Sequence, residues 1–246
     1  MRILHLVLAP RLSGAEVLAK DLAIHQQKSG ETVGIAALTP QHDDFAALHG
    51  ELVASGVECL FPQRMYGRFG KLWNLYRTLR RYRADVVFAH ATIPAFYARA
   101  LPLAVPVVYV MHSATNDFER DLFRRVERVL SRRARAVIAV SPANIDDYVG
   151  AVGRHPSMTL IPNGVDMARF ASRAYEAIEG RAQIVQIGRY TSVKNQLSTV
   201  HAFERVVERE PLARLLLCGV IEDPAYHAAV GDLVEKLGLS ERVSLQ

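Results

Sequence analysis

The sequence predicts an α/β protein made of two doubly wound domains, the second of them incomplete. Three observations predict it. Short β-branched runs alternate with stretches of helical periodicity along most of the chain. The runs are near-continuously apolar, as strands of a parallel sheet are when both faces are covered. The alternation stops once, around a Pro-Asn-Gly turn at 162–164, and then begins again.

Taken in order, "RILHLVL" (2–8) is the first strand, and a helix is expected from Ala15 to about Gln27. "TVGIAAL" (32–38) precedes a helix near 43–54. "DVVFAH" (85–90), "PVVYVMH" (106–112) and "AVIAVS" (136–141) are further strands, each followed by helical sequence. "MTLIPNGVDMARF" (158–170) is a short strand running into the turn, and the polar stretch "ASRAYEAIEGR" follows. From 182 the pattern restarts with "AQIVQI", a helix over 192–208, "ARLLLCG", a helix over 224–237, and "RVSLQ". This places a first domain at 1–165, a linker at 166–180 and a second domain at 181–246. The last strand stops at Gln246 with an edge that proteins normally cover, so the chain is expected to be truncated.

The 246 residues are 50% hydrophobic and 22% charged, a globular composition with ample material for a core. The longest apolar run, 101–111, is about half a membrane span and holds two prolines. The N-terminus lacks a signal-peptide core and reads as a strand. Cys59 and Cys218 stand far apart, with neither a disulfide framework nor zinc spacing, which suits a reducing cytoplasm. No Walker, dinucleotide or nucleophile-elbow glycine motif occurs, no two of the nine histidines are four apart, and there is no Asp-x-Asp, so no metal is expected.

The net charge of +5 is local. Residues 64–83 hold seven Lys/Arg and no acid, and 120–135 hold seven Arg against Asp121 and Glu127. The first segment interleaves its cations with Tyr66, Phe69, Trp73, Tyr76 and Tyr82. It suits a helix lying on an anionic bilayer, or equally a helix packing Leu72, Leu75, Tyr76 and Leu79 on the core with its arginines solvated. The second segment reads as an amphipathic helix with Leu122, Val126 and Val129 inward. Nothing beyond the aromatics supports nucleic-acid binding, and none is expected.

Ligands of open α/β sheets bind past the carboxyl ends of the strands, where helix N-termini favour phosphate. Three features fall there. Gly14 lies in the first strand-to-helix loop, where it could admit a ligand or be an ordinary loop glycine. His112 ends the strand "VVYVMH"; by itself it is a ligand contact or a histidine satisfied by nearby backbone. His90 ends "VVFAH" and is read as satisfied by backbone. "GRYTSVKNQ" (188–196) sets Arg189 and Lys194 in a strand-to-helix turn, as solvated cations or as a fork and a point charge for a diphosphate.

The order of these features carries a resemblance. "SGAE", "VMH", "LIPNGVDMARF", "IVQIGRYTSVKNQLSTVHAF" and the stretch from "LLLCG" to the end together resemble the family 4 glycosyltransferases, retaining enzymes of the GT-B fold with two Rossmann-like domains. The resemblance spans essentially the whole chain. It implies transfer of a sugar from a nucleotide-diphosphate donor to a hydroxyl of a glycan or lipid-linked acceptor, in cell-envelope polysaccharide or glycolipid synthesis. By it, Gly14 faces the donor, Arg189 and Lys194 hold its diphosphate, and Gly219 closes the next strand near the nucleotide. His112 lines the sugar and acceptor side as the catalytic residue, Asn163 and Gly164 form the hinge, and no metal takes part. The usual Gly-Gly pair is Ser13-Gly14 here, and Ser113 stands where many members have Asp. The paired glutamates (E-x7-E) of the family are expected past Gln246, which would leave these residues alone a poor catalyst. A nucleotide-sugar epimerase or phosphorylase of the same fold would need the same cations. A non-catalytic membrane-binding module would use the basic helices. The location expected is cytoplasmic, with possible attachment to the inner face of the plasma membrane.

Overall fold

The computed structural model describes residues 1–112, 117–165, 167 and 182–246. It divides into two compact units, Met1–Phe170 and Ala171–Gln246. The linker expected at 166–180 lies, Met167 apart, outside the described residues.

In the first unit β1 (Arg2–Val7), β2 (Thr32–Ala37), β3 (Glu58–Leu60), β4 (Val86–His90), β5 (Val107–Met111), β6 (Ala136–Ala139) and β7 (Met158–Leu160) form one sheet in the order 3-2-1-4-5-6-7. Every pairing is parallel. The helices between them are α1 (Gly14–Lys28), α2 (Ala46–Ala54), α3 (Arg68–Tyr82), α4 (Thr92–Ala100), α5 (Asp121–Leu130) and α6 (Pro142–Val152). Side chains alternate across the sheet, and so do the two cores. Leu4, Leu6, Val87, Tyr109 and Met111 belong to one with Leu75, Leu79 and Tyr82 of α3. Ile3, Val7, Val33 and Ile35 belong to the other, with Ala19 and Ala23 of α1. β3 is the element absent from the sequence reading. Three residues, "ECL", are too short to show a period, and it stands at the sheet edge where one partner suffices.

Gly34 in β2 has a packing reason. A methyl group there would meet the Tyr82 ring at 2.8 Å, and Tyr82 donates its hydroxyl to the Ile3 carbonyl at 3.0 Å. The end of α3 is thereby pressed onto the first two strands.

The orientation expected for α5 is wrong. Leu122 and Val129 are 67% and 74% exposed, and Val126 is only half-buried. Phe123 and Glu127 face inward instead, one turn apart. The cause is Arg99 on α4, fully buried and in need of a carboxylate. Its guanidinium donates to both oxygens of Glu127, at 2.8 and 2.6 Å, and its Nε to the Ala95 carbonyl at 3.0 Å. Tyr148 of α6 donates to the same carboxylate at 2.8 Å. Seven apart, Leu122 and Val129 then fall on the outer side. Apolar count favours one rotation of this helix and one buried ion pair favours another; the ion pair wins because an unpaired buried guanidinium costs more than two exposed aliphatics.

In the second unit β8 (Gln183–Ile187), β9 (Arg214–Cys218) and β10 (Val243–Leu245) run parallel in sequence order. α7 (Gln196–Arg209) and α8 (Pro224–Lys236) cover one face, around Val200, Phe203, Leu215, Leu217 and Val230. The other face is open at β8, where Val185 and Ile187 are 50% and 82% exposed. α8 opens on Pro224 behind Asp223, whose carboxylate accepts from the Ala225 and Tyr226 amides at 3.0 and 3.1 Å.

Removing one partner of the buried pair strands the other. Glu127→Ala is expected to lower unfolding free energy by about 3–5 kcal/mol. Arg99→Met combined with Glu127→Leu is expected to cost less than either single change. Urea unfolding of Glu127→Ala, Arg99→Met, Glu127→Leu and the double variant checks this, and additive losses would contradict it.

Candidate functional site

Parallel strands point all their carboxyl ends the same way, and the sequence-predicted residues collect at those ends in each unit. Gly14 is the first residue of α1, behind Ser13. Its backbone is not left-handed, and a methyl group there would meet nothing within 4 Å. Neither conformation nor packing among the described residues requires glycine, so the space beside it is open.

His112 directly follows β5, half-buried, and it is not satisfied by backbone. Its Nε2 lies 2.9 Å from Nδ1 of His90. The Nε2 of His90 lies 2.9 Å from Nδ1 of His5, and the Nε2 of His5 lies 2.8 Å from Oε1 of Gln26 on α1. This corrects the reading of His90 as a backbone-satisfied histidine and adds His5 and Gln26, which sequence reasoning missed. The register explains the row. His5 is paired with Phe88, so His90 is two residues further along β4. His90 is paired with Val110, so His112 is two further along β5. All three therefore share one face and climb diagonally to the strand ends. The rings are 5.2 and 5.1 Å apart, and His5 stacks on Phe88 at 5.5 Å.

Burial holds all three rings neutral. Loss of solvation lowers His5 and His112 to about 4 and holds His90 well below its ordinary value, its neighbours His5 and His112 adding repulsion. Beside the row is a cavity of about 700 Å³, lined among others by Gln26, Phe88, His90 and Val110 and closed by Pro162, Asn163 and Gly164. The expected hinge pair thus forms a wall of this cavity. Gly14 and His112 do not line it. Asp21, His25 and Lys28 of α1 do.

The second unit carries the cation turn. Gly188 directly follows β8, and Lys194 closes a 3₁₀ turn over Ser192–Lys194. Asn195 then takes a left-handed φ of 53°, tolerable for asparagine, and α7 begins. Gln196, 1% exposed, donates to the carbonyls of Gly188 and Arg189 at 3.3 and 2.9 Å, which fixes the turn from beneath. Tyr190 is fully buried, and its amide donates to the Val220 carbonyl at 2.9 Å. Gly219 is required by contact: a methyl group there would stand 2.1 Å from the Gly188 carbonyl oxygen and 3.2 Å from the Arg189 nitrogen. It shapes the turn by letting the next strand end pass close under it. Arg189 is 44% exposed and paired with the equally exposed Glu222. Lys194 is exposed, its stem against Gly188, and no carboxylate pairs with it among the described residues.

The glutamates at eight-residue spacing, Glu119 and Glu127, make no acidic site, since Glu127 is fully committed to Arg99 and Tyr148. Among the described residues no cluster of three His, Cys, Asp or Glu could hold a metal ion.

Two parallel α/β units, the second with a cation-bearing turn after its first strand, define a GT-B protein. Solved structures of that fold cover the whole chain. Anabaena HepE in complex with UDP-glucose matches all of it and 68% of its own chain, at a TM-score of 0.82 and 19% identity. A Rickettsia africae glycosyltransferase matches at 0.76 and 17%, over 67% of its chain. The sequence profile of Glycosyltransferase Family 4 matches residues 12–169. The chain belongs to glycosyltransferase family 4. A GDP-mannose:cellobiosyl-diphosphopolyprenol alpha-mannosyltransferase of Xanthomonas oryzae pv. oryzae is 26% identical over the whole chain and 67% of its own length. Glycogen synthase of Mycobacterium tuberculosis is 29% identical over 58% of the chain and 37% of its own. The chain thus spans about two-thirds of the length of the full-coverage relatives.

The neutral histidine row makes stability pH-dependent. Unfolded His5 takes up a proton below about 6.5, whereas folded His5 waits until about 4. Stability is therefore full above pH 6.5 and falls as pH drops toward 4. Thermal unfolding from pH 8 to pH 5 is expected to show that decline, with a shallower slope for His5→Phe. Parallel slopes would refute it.

Proposed function

We propose that this chain carries the donor-diphosphate grip of a retaining glycosyltransferase that moves a hexose from a nucleotide diphosphate to a hydroxyl of a lipid-linked or envelope glycan. The observation that carries the reading is the turn at 188–196: two cations of different geometry, both reachable from solvent, on backbone fixed by Gln196 and by the close pass of Gly219. Arg189 offers a planar fork and Lys194 a point charge. During transfer the bond from the anomeric carbon to the diphosphate oxygen breaks, and a bond to the acceptor oxygen forms on the same face of the sugar. The acceptor hydroxyl gives up its proton and the diphosphate leaves with an added negative charge. Cations placed at that oxygen stabilise the transition state more than the bound donor. In this reading they do so without a metal. The nucleotide-sugar donors named for HepE and for the Xanthomonas enzyme support the donor class. The diphosphopolyprenol acceptor of the latter supports a lipid-linked one.

Glu222 occupies Arg189 in the absence of donor. An exposed pair of this kind holds by about 0.2–1 kcal/mol, so phosphate displaces it cheaply. Arg189→Ala is expected to weaken UDP-glucose or GDP-mannose binding at least tenfold, and Glu222→Gln to tighten it by a few-fold at low salt. Calorimetry reads the affinity, and nucleotide release with and without an acceptor reads the reaction. Unchanged affinity in Arg189→Ala would remove the assignment, and an epimer formed without acceptor would replace transfer with epimerisation.

The acceptor's membrane is the proposed second partner, on the cytoplasmic side. No helix among the described residues is long and apolar enough to cross a membrane. α3 buries Leu75, Leu79 and Tyr82, yet leaves Phe69 87% and Trp73 63% exposed, with Met65 68% exposed just before it. Core packing does not account for these. Phe69 and Trp73 share the outer face with Arg77 and Arg80 further along the helix, an arrangement that seats aromatics at headgroup depth and arginines on phosphate. The chain is expected to float with vesicles containing phosphatidylglycerol and not with pure phosphatidylcholine, and Phe69→Ser with Trp73→Ser to lose most of that binding. Equal flotation of the double variant would exclude α3 as the contact.

A further inference from the structure

We propose that Gln26, His5 and His90 are positioning residues that set the tautomer of His112, so that its Nδ1 is offered without a proton to a hydroxyl of the bound sugar or acceptor. The inference rests on the role that the family resemblance implies for His112, lining the sugar and acceptor side.

The polarity of the row is set at its far end. Gln26 presents its amide oxygen, an acceptor only, to Nε2 of His5. That nitrogen must carry the proton. A neutral imidazole has one proton, so Nδ1 of His5 is an acceptor and Nε2 of His90 must donate to it. Nδ1 of His90 is then an acceptor, and Nε2 of His112 donates to it. The single proton of His112 is thus held inward. No hydrogen bond is made by its Nδ1 among the described residues. One amide on α1 dictates the chemistry of a ring three hydrogen bonds away, because each ring passes on the only polarity left to it.

Two further observations show that the row is held in place. His5 and His90 are 0% and 2% exposed, so water cannot supply an alternative partner and the tautomers are not free to scramble. Ala91, next to His90, has φ 72° and ψ 170°, a conformation that belongs to glycine. Its amide donates to the Val110 carbonyl at 2.9 Å, two residues before His112. An alanine kept in that strained conformation ties the end of β4 to β5 at the point where the two rings meet.

A hydroxyl that donates to His112 gains electron density on its oxygen. A His112 with the opposite tautomer would donate to that oxygen instead. The row therefore selects for a ligand hydroxyl oriented with its hydrogen toward the protein.

The test is the tautomeric state of each ring, read from long-range ¹H–¹⁵N correlations of the ¹⁵N-histidine-labelled chain at pH 7. The nine histidines are assigned by single substitution. The wild-type chain is expected to show His5, His90 and His112 neutral with the proton on Nε2. Gln26→Met keeps the shape of the side chain but removes the acceptor. His5→Phe keeps the ring and its stacking but removes both nitrogens. Neither residue touches His112, and in each variant the Nδ1-protonated fraction of His112 is expected to rise several-fold. A wild-type His112 with its proton on Nδ1 overturns the proposal, even if neither variant folds. So does a folded variant in which the tautomer of His112 is unchanged. No sugar nucleotide is present in the experiment, so failure of the relay and failure of the donor assignment are separate results.

Discussion

Everything placed at the candidate site depends on the parallel pairing of strands. A parallel strand cannot pair with its successor through a hairpin; the chain must cross over, and the crossover must cover a face. Ten strands in two sheets obey this among the described residues. The consequence is directional. Within each sheet every strand ends at the same edge, and residues just past those ends are gathered whatever their distance in sequence. Gly14 and His112 are 98 positions apart in the first unit, and Arg189 and Gly219 meet in the second because consecutive strands stop together.

Within that frame, buried polar groups decide details that apolar patterning leaves open. The Arg99–Glu127–Tyr148 cluster chooses the rotation of α5. The histidine row replaces what would otherwise be three aliphatic positions on the α1 side of the sheet, where Ile3, Val7 and Val33 lie. Both networks link neighbouring elements; the first satisfies its carboxylate fully, and the second pairs every ring nitrogen of His5 and His90. They differ in charge. The first is an ion pair, stable because both partners are charged and fully bonded. The second is a chain of neutral donors and acceptors, and burial is what holds it neutral.

These two networks also mark where the sequence stops being legible. Strand and helix order, the restart after 182 and the cation turn follow from local apolar runs and turn residues, which a linear reading samples directly. β3 was hidden by its length. The inward face of α5 was hidden because Glu127 meets its partner on another helix, 28 positions away, and hydrophobic periodicity cannot see an ion pair. His90 reads as satisfied by backbone and His5 does not stand out, because each is unremarkable on its own strand. The readable signal was two histidines at the carboxyl ends of adjacent strands, His90 and His112, with a third at an odd position of "RILHLVL". It becomes a signal only once the order β1-β4-β5 is known, and strand order is not written in any one strand.

Arg189 and Lys194 differ from His112 in charge in the sense that the proposed chemistry requires. As a sugar leaves a diphosphate, negative charge grows on the leaving oxygen and positive charge on the ring. Cations serve the first and would oppose the second. Arg189 and Lys194 are exposed and held apart from any buried network, so phosphate can reach them. His112 is the reverse. At an unperturbed value near 6.5 it would be partly an imidazolium under mildly acid conditions, a charge unsuited to the proposed role of facing a sugar that is itself becoming cationic. Burial lowers it to about 4 and removes that possibility, while the row leaves it a lone pair. A solitary histidine at the strand end could have been neutral or correctly oriented by chance. Three in register, terminated by the amide oxygen of Gln26, make both properties a consequence of the fold.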